Sequence, residues 1–286
     1  MNPHILVCPD SLPFLSGFHG QELVVRTQNP ERIPDLVKLV ESQNILRTVW
    51  LDIKTPLSEV HWDDAWTDIP LAIHSPEMGN FRIIAGTIPL IRKLNLRVFL
   101  PDDGGNNYRS LRILASLGIH CGLTFTDRSP AWEPLADLAH YALYGLVRKA
   151  TIEPFHYIAS QHNPEARTNF GSVVFDDPTR FLHLTVEGKV ALSRQDLLEE
   201  NFILETLEGV GDITELEGYQ DRKESWREFF LQDDGCAYCP AWRVCLGRFD
   251  AITEDRKACA ALFLELMDAA DHYRQKQGKE REVWQL

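Results

Sequence analysis

No cysteine stands between Cys8 and Cys121 of this 286-residue chain, and only six occur in all. The N-terminus lacks the basic-then-apolar pattern of a secretory leader, and no apolar run is long enough to cross a bilayer. These absences predict a cytoplasmic protein in a reducing compartment, where thiols serve metals rather than disulfides. Positive charge is scarce: 29 Lys and Arg face 42 Asp and Glu, a formal net charge of -13. That balance argues against nonspecific nucleic-acid binding and against acidic membrane surfaces, while it permits a basic protein or peptide partner. No Ser/His/Asp set, phosphate loop or zinc-hydrolase helix stands out, and no internal repeat or low-complexity tract is found.

What remains is an ordinary globular composition, 44% hydrophobic and 25% charged. The length suits one large domain, or one domain plus a module. Four of the six cysteines crowd near the C-terminus: Cys236, Cys239, Cys245 and Cys259, in the spacing C-x2-C-x5-C-x13-C. Two thiols flanking two residues can grip one metal centre from one turn, and two more close the shell. The spacing alone admits zinc or an iron–sulfur cluster. Four inert core cysteines are the bland alternative, and their clustering argues against it. Cys121, inside an apolar strand pattern, reads as core.

Residues 1–20 read as an irregular lead-in with scattered Pro and Gly. Six strands are then expected, at 22–26, 46–52, 70–74, 96–100, 119–124 and 152–158. Helices are expected between them, from Pro30 with Asn29 as cap, over 79–94, over 107–117 ended by Gly118, and over 134–149. Strict alternation argues for a parallel sheet with right-handed crossovers, and six units predict an open partial barrel. The pattern then changes. Residues 181–192 alternate across Glu187-Gly188 and read as a β-hairpin. A helix over 254–275 carries Cys259. The expected domains are 1–165 and 166–286.

A six-unit partial barrel followed by a hairpin and a C-x2-C-x5-C knot resembles the radical SAM/SPASM proteins, which mature ribosomally made peptides and proteins. Arg109–Ile119 looks like the family's helix leading into a barrel strand, Ile152-Glu153-Pro154-Phe155 like its late-barrel strand, and Val186-Glu187-Gly188-Lys189-Val190 like its hairpin. The departures are equally informative. The family carries C-x3-C-x2-C after its first barrel strand; here Thr27-Gln28-Asn29-Pro30-Glu31 has no thiol. Leu51-Asp52-Ile53-Lys54 stands where the family has Gly-Gly-Glu. Ser193 and Phe249 occupy two cysteine positions of the first auxiliary cluster, whereas Cys236, Cys239, Cys245 and Cys259 match the ligands of the second.

The resemblance therefore implies a degenerate, pseudo radical SAM member. Its fold would be α/β, a six-unit partial (β/α) barrel with a small SPASM-like module holding one 4Fe-4S cluster, with zinc as the alternative, and no SAM. It implies no radical SAM catalysis by this chain alone. The implied role is an accessory to a true radical SAM enzyme acting on a ribosomal precursor peptide, as scaffold, peptide holder or electron relay. The alternative is an independent enzyme, or a zinc-stabilised binding protein, using the barrel mouth. Asp52, Lys54, His74, Asp102 and Asp103 fall near C-terminal strand ends, where barrel enzymes place their chemistry; solvated loop residues are the expectation favoured for them. Arg243 is read either as a counter-charge for the cluster or as a surface residue, and Tyr238 and Trp242 as its cover.

Overall fold

The computed structural model describes residues 4–126, 128–145, 150–165, 168–207, 213–232, 234–249 and 255–283. In chain order, β1 (Ile5–Pro9), α1 (Leu12–Leu15), β2 (Glu22–Thr27), α2 (Ile33–Glu41), β3 (Ile45–Asp52), β4 (Leu71–His74) and α3 (Phe81–Leu94) come first. Next are β5 (Arg97–Pro101), α4 (Asn106–Ser116), β6 (His120–Thr124), α5 (Trp132–Tyr144), β7 (Ile152–Glu153) and α6 (Phe155–Gln161). The chain continues with β8 (Phe181–Leu184), β9 (Val190–Ala191), α7 (Arg194–Leu198), α8 (Glu217–Gln232), α9 (Asp234–Ala237), α10 (Trp242–Cys245) and α11 (Arg256–Val283). The fold is α/β with a mostly parallel sheet in the order β7-β6-β5-β4-β3-β2-β1-β8-β9.

The expected count of six strands is two too low for the parallel part. β1 was hidden because Ile5-Leu6-Val7-Cys8 is a short apolar run amid the punctuation of Pro9, Pro13 and Gly17. It lies between β2 and β8, parallel to both. β8 does form the expected antiparallel hairpin with β9, and Gly188 takes the left-handed φ of 89° that its turn needs. Its parallel pairing with β1 is the feature that hydrophobic alternation could not reveal. The strand expected over 152–158 stops at Glu153. Pro154 has no N–H to continue the ladder, and the Glu153 carboxylate accepts the Tyr157 N–H at 2.8 Å, favouring the helix that follows. Asn29 caps as expected, accepting the Glu31 N–H at 3.0 Å, and Gly118 has the expected left-handed φ of 79°. Residues 146–149 of the expected 134–149 helix lie outside the described residues.

By contacts the chain sorts into two compact units, each made of two segments. The first takes the chain up to Phe99 together with Val174–Phe229. One core cluster lies on one face of the sheet. Leu6, Cys8, Leu23, Val25, Leu182 and Leu184, at alternate strand positions, meet Leu15 of α1 and Leu36 and Val40 of α2. α2 turns Ile33, Leu36 and Val40 inward at helical spacing. Burial also drives the Cys8 thiol pKa upward, so Cys8 behaves as a small hydrophobe. The other face of the same strands carries Val7, Val24, Arg26, Trp50 and His183, as the pairings Val7↔Val24, Val7↔His183 and Arg26↔Trp50 require.

The second unit takes Leu100–Val173 and the chain from Phe230 on. There α11 packs on α5 and α6, burying Leu262, Phe263, Leu266, Ala269 and Ala270 along one stripe. Cys121 is buried, as its strand pattern implied.

If β1 is an internal strand, Leu6→Ala should cost about 3 kcal/mol, the range for a truncated core leucine. Urea denaturation measures this; a loss below about 1 kcal/mol would fit a frayed lead-in and contradict the pairing.

Candidate metal centre

Four local turns bring the cysteines of the second unit into place. Cys236 lies in α9, and its carbonyl accepts the Cys239 N–H at 3.1 Å; the Cys239 carbonyl accepts the Trp242 N–H at the same distance. Cys245 closes α10 and donates its N–H to the Ala241 carbonyl at 3.2 Å. Leu246 and Gly247 then take left-handed φ values of 53° and 72°, which reverse the chain immediately after the third thiol. The left-handed conformation costs a non-glycine residue about 1–2 kcal/mol, so Leu246 is held there by its surroundings. Cys259 sits in the first turn of α11, where Asp255 accepts the Ala258 N–H on its side chain (2.9 Å) and the Cys259 N–H on its carbonyl (3.1 Å).

All four cysteines line one cavity of about 220 Å³. Its remaining wall includes Pro240, Ala241, Phe249, Ala260 and Phe263, with Arg256 and Lys257 beside Cys259. Among the described residues no three His, Cys, Asp or Glu side chains are grouped to hold a single metal ion.

The two positions where the resemblance leads one to expect further thiols are engaged otherwise. Ser193 caps α7: its Oγ accepts the Asp196 N–H at 3.0 Å and donates to Asp196 Oδ2 at 2.5 Å. Phe249 is 1% exposed. Its ring lies 5.0 Å from Phe125, 5.3 Å from Trp132 and 5.8 Å from Phe263, an aromatic cluster along one side of the cavity. Tyr238 and Trp242 are not among the residues lining the cavity, and Tyr238 is 82% exposed; Phe249 and Phe263 are the aromatic residues on its wall. Arg243 is a surface residue that fastens a loop, donating to the Pro164 carbonyl while its own carbonyl accepts the Thr168 N–H. The cations at the cavity are Arg256 and Lys257, which the sequence reading missed. Their signal was position, three and two residues before a candidate ligand.

The strand-end residues sort unequally. Lys54 and Asp103 are exposed, as expected of solvated loops, and Asp103 caps α4 through the Gly105 and Asn107 N–H groups. Asp102 is buried instead, accepting from the Tyr108 hydroxyl at 2.6 Å. Burial and that carboxylate push the Tyr108 pKa upward. Asp52 and His74, paired across β3 and β4, form the centre of a polar network within the first unit. Asp52 accepts the Trp50 indole N–H at 2.9 Å and pairs with His74 Nδ1 at 3.2 Å. Two guanidiniums, Arg26 at 3.7 Å and Arg194 at 3.6 Å, face its other oxygen. The Arg26 guanidinium also lies 5.5 Å from the Trp50 ring centroid. Nearby, His183 is fully buried, 3.5 Å from the Asp176 carboxylate.

Burial alone would raise the Asp52 pKa, but the His74 hydrogen bond, Arg26, Arg194 and the Trp50 N–H together bring it down to about 2. Burial, and then the charge of Arg194, lower Arg26 to about 10. Both groups remain charged at neutral pH. The network joins β2, β3 and β4 to the segment carrying Arg194, and its Asp52–His74 contact orients the imidazole. Charge fixation and orientation are what these contacts provide.

None of the family models, curated proteins or solved structures compared with the chain matches it.

The Asp52 network makes stability depend on acid. The folded carboxyl titrates below its ordinary 3.8. Its contribution, about 2 kcal/mol, is therefore complete above about pH 4 and lost as the pH falls toward 2. Asp52→Asn should cost about 3 kcal/mol at pH 7, because Arg26 and Arg194 then face each other without a counter-charge, and should flatten the stability profile between pH 4 and 2. Calorimetric Tm against pH measures both effects; a variant as stable as the parent would remove the network from the account of the fold.

Proposed function

We propose that this chain is an iron–sulfur accessory protein that works with a true radical SAM enzyme in maturing a ribosomal peptide, and does not cleave SAM itself. The observation that carries the reading is the gathering of Cys236, Cys239, Cys245 and Cys259 around one cavity. Four thiolates are the donor set of a 4Fe-4S cluster. Zinc held by four thiolates needs all its sulfurs about 2.3 Å from one point. A space of about 220 Å³ with all four thiols on its wall leaves room for the larger cofactor. When bound, such a cluster supplies one-electron transfer. The apolar wall of Phe249 and Phe263 limits water around it, and Arg256 and Lys257 counter the negative charge of the thiolates.

The absence of SAM chemistry is read from the loops after the first strands. Cys8 faces the hydrophobic core of α1 and α2. The Thr27 hydroxyl donates to Asp10 at 2.6 Å, and Asn29 caps the turn that follows. These loops contain no thiol. The sequential order of the parallel strands accords with a partial barrel of radical SAM type, and the segment holding the four cysteines with a pared-down SPASM module. A cysteine centre without a radical-generating centre is useful beside an enzyme that possesses one, as a scaffold, a peptide holder or an electron relay.

Anaerobically prepared protein should be brown and contain about four irons and four sulfides per chain. Cys239→Ala should abolish both. Stoichiometric zinc without sulfide, after growth in iron, would overturn the cofactor assignment. The role is tested by co-expression with a radical SAM enzyme and precursor peptide from adjoining genes. The enzyme should co-purify with this chain, and peptide modification should fall when the chain is omitted. The purified chain should form no 5′-deoxyadenosine from SAM and dithionite. Unchanged modification without it, and no co-purification, would defeat the accessory role.

A further inference from the structure

We propose that Arg256 and Lys257 set the reduction potential of the four-cysteine centre, so that the centre carries electrons instead of only bracing the fold. This rests on the iron–sulfur reading above. The two cations line the same cavity wall as Cys259. They stand out in a chain of net charge -13, whose overall field opposes the addition of any further negative charge.

A cluster bound by four thiolates is already a net dianion. Reduction adds one electron from a donor of the reduced-flavin or iron–sulfur class; no bond breaks and no proton moves. The cost of that added charge depends on what faces it. Phe249, Phe263, Pro240 and Ala260 provide an apolar wall, which offers the new charge little solvation and lets nearby fixed charges act strongly. Arg256 and Lys257 are the cationic side chains on that wall, and both stabilise the reduced state more than the oxidised one. The first turn of α11, a helix of 28 residues, adds its partial positive charge on the same side. The Asp255 carboxylate at the start of the same turn accepts the Ala258 N–H at 2.9 Å, and its negative charge offsets part of theirs. Since both cations are exposed, solvent screens part of their effect.

The test is a potentiometric titration followed by electron paramagnetic resonance, on anaerobic full-length protein whose iron and sulfide have first been assayed. Replacing both cations, Arg256→Gln with Lys257→Gln, should lower the equilibrium constant for reduction about tenfold, a midpoint about 59 mV more negative for a one-electron couple. Each single variant should shift it about threefold, and Arg256→Lys, which keeps the charge, should titrate with the parent. If the double variant loses its iron, the single variants provide the reading. Unchanged midpoints in variants with full iron and sulfide would overturn the tuning role while leaving the cluster intact. A parent protein without iron and sulfide would instead overturn the cofactor assignment beneath it.

Discussion

Strand β1 has two hydrogen-bonding edges, and a buried backbone must satisfy both. β2 takes one edge and β8 the other. That second pairing draws a segment from far along the chain into the first compact unit, which is why this unit consists of two pieces. It also sets which side chains share a face. With Val7 opposite His183 on one side and Val24 on the other, the core leucines and valines turn toward α1 and α2. Arg26, Trp50 and, one register step on, Asp52 and His74 turn the other way. The Asp52 network is thus a consequence of strand register, and its two guanidiniums come from the sequence-distant segments that β1 joins.

In the second unit, aromatic packing takes up one side of the cysteine cavity. Phe249 has joined an aromatic cluster with Phe125, Trp132 and Phe263. In the first unit, Ser193 meets the need of a helix start for an acceptor. Each residue serves the local backbone or packing where it stands. What the four clustered cysteines share is a cavity wall. Local turns made by residues 236–248, closed by the left-handed Leu246 and Gly247, and the capped start of α11 are sufficient to bring them there.

Much of this was legible in sequence because it depends on near neighbours. Strand and helix alternation follows from hydrophobic period, the hairpin from Glu187-Gly188, the cap from Asn29, and the candidate ligands from cysteine spacing. Errors arose where a distant partner or a proline decided. Ile5–Pro9 is too short to announce itself without β2 and β8 beside it. β7 ends early because Pro154 cannot extend the ladder and Glu153 caps the next helix. Asp102 looked like a solvated loop residue, yet the Tyr108 hydroxyl six residues on makes its burial tolerable.

By itself, then, the sequence determined the α/β alternation, the acidic balance and the cysteine spacing, since each is a property of composition or of residues within a few positions of one another. Tertiary structure alone decided that β8 joins β1, that Asp52 collects Arg26, His74 and Arg194, and that Arg256 and Lys257, rather than Arg243, stand at the cysteine cavity. The physical reason is the same in each case. Hydrogen-bond pairing, desolvation and Coulomb attraction act between groups that are close in space, and closeness between distant parts of a chain exists only after the backbone has paired and packed.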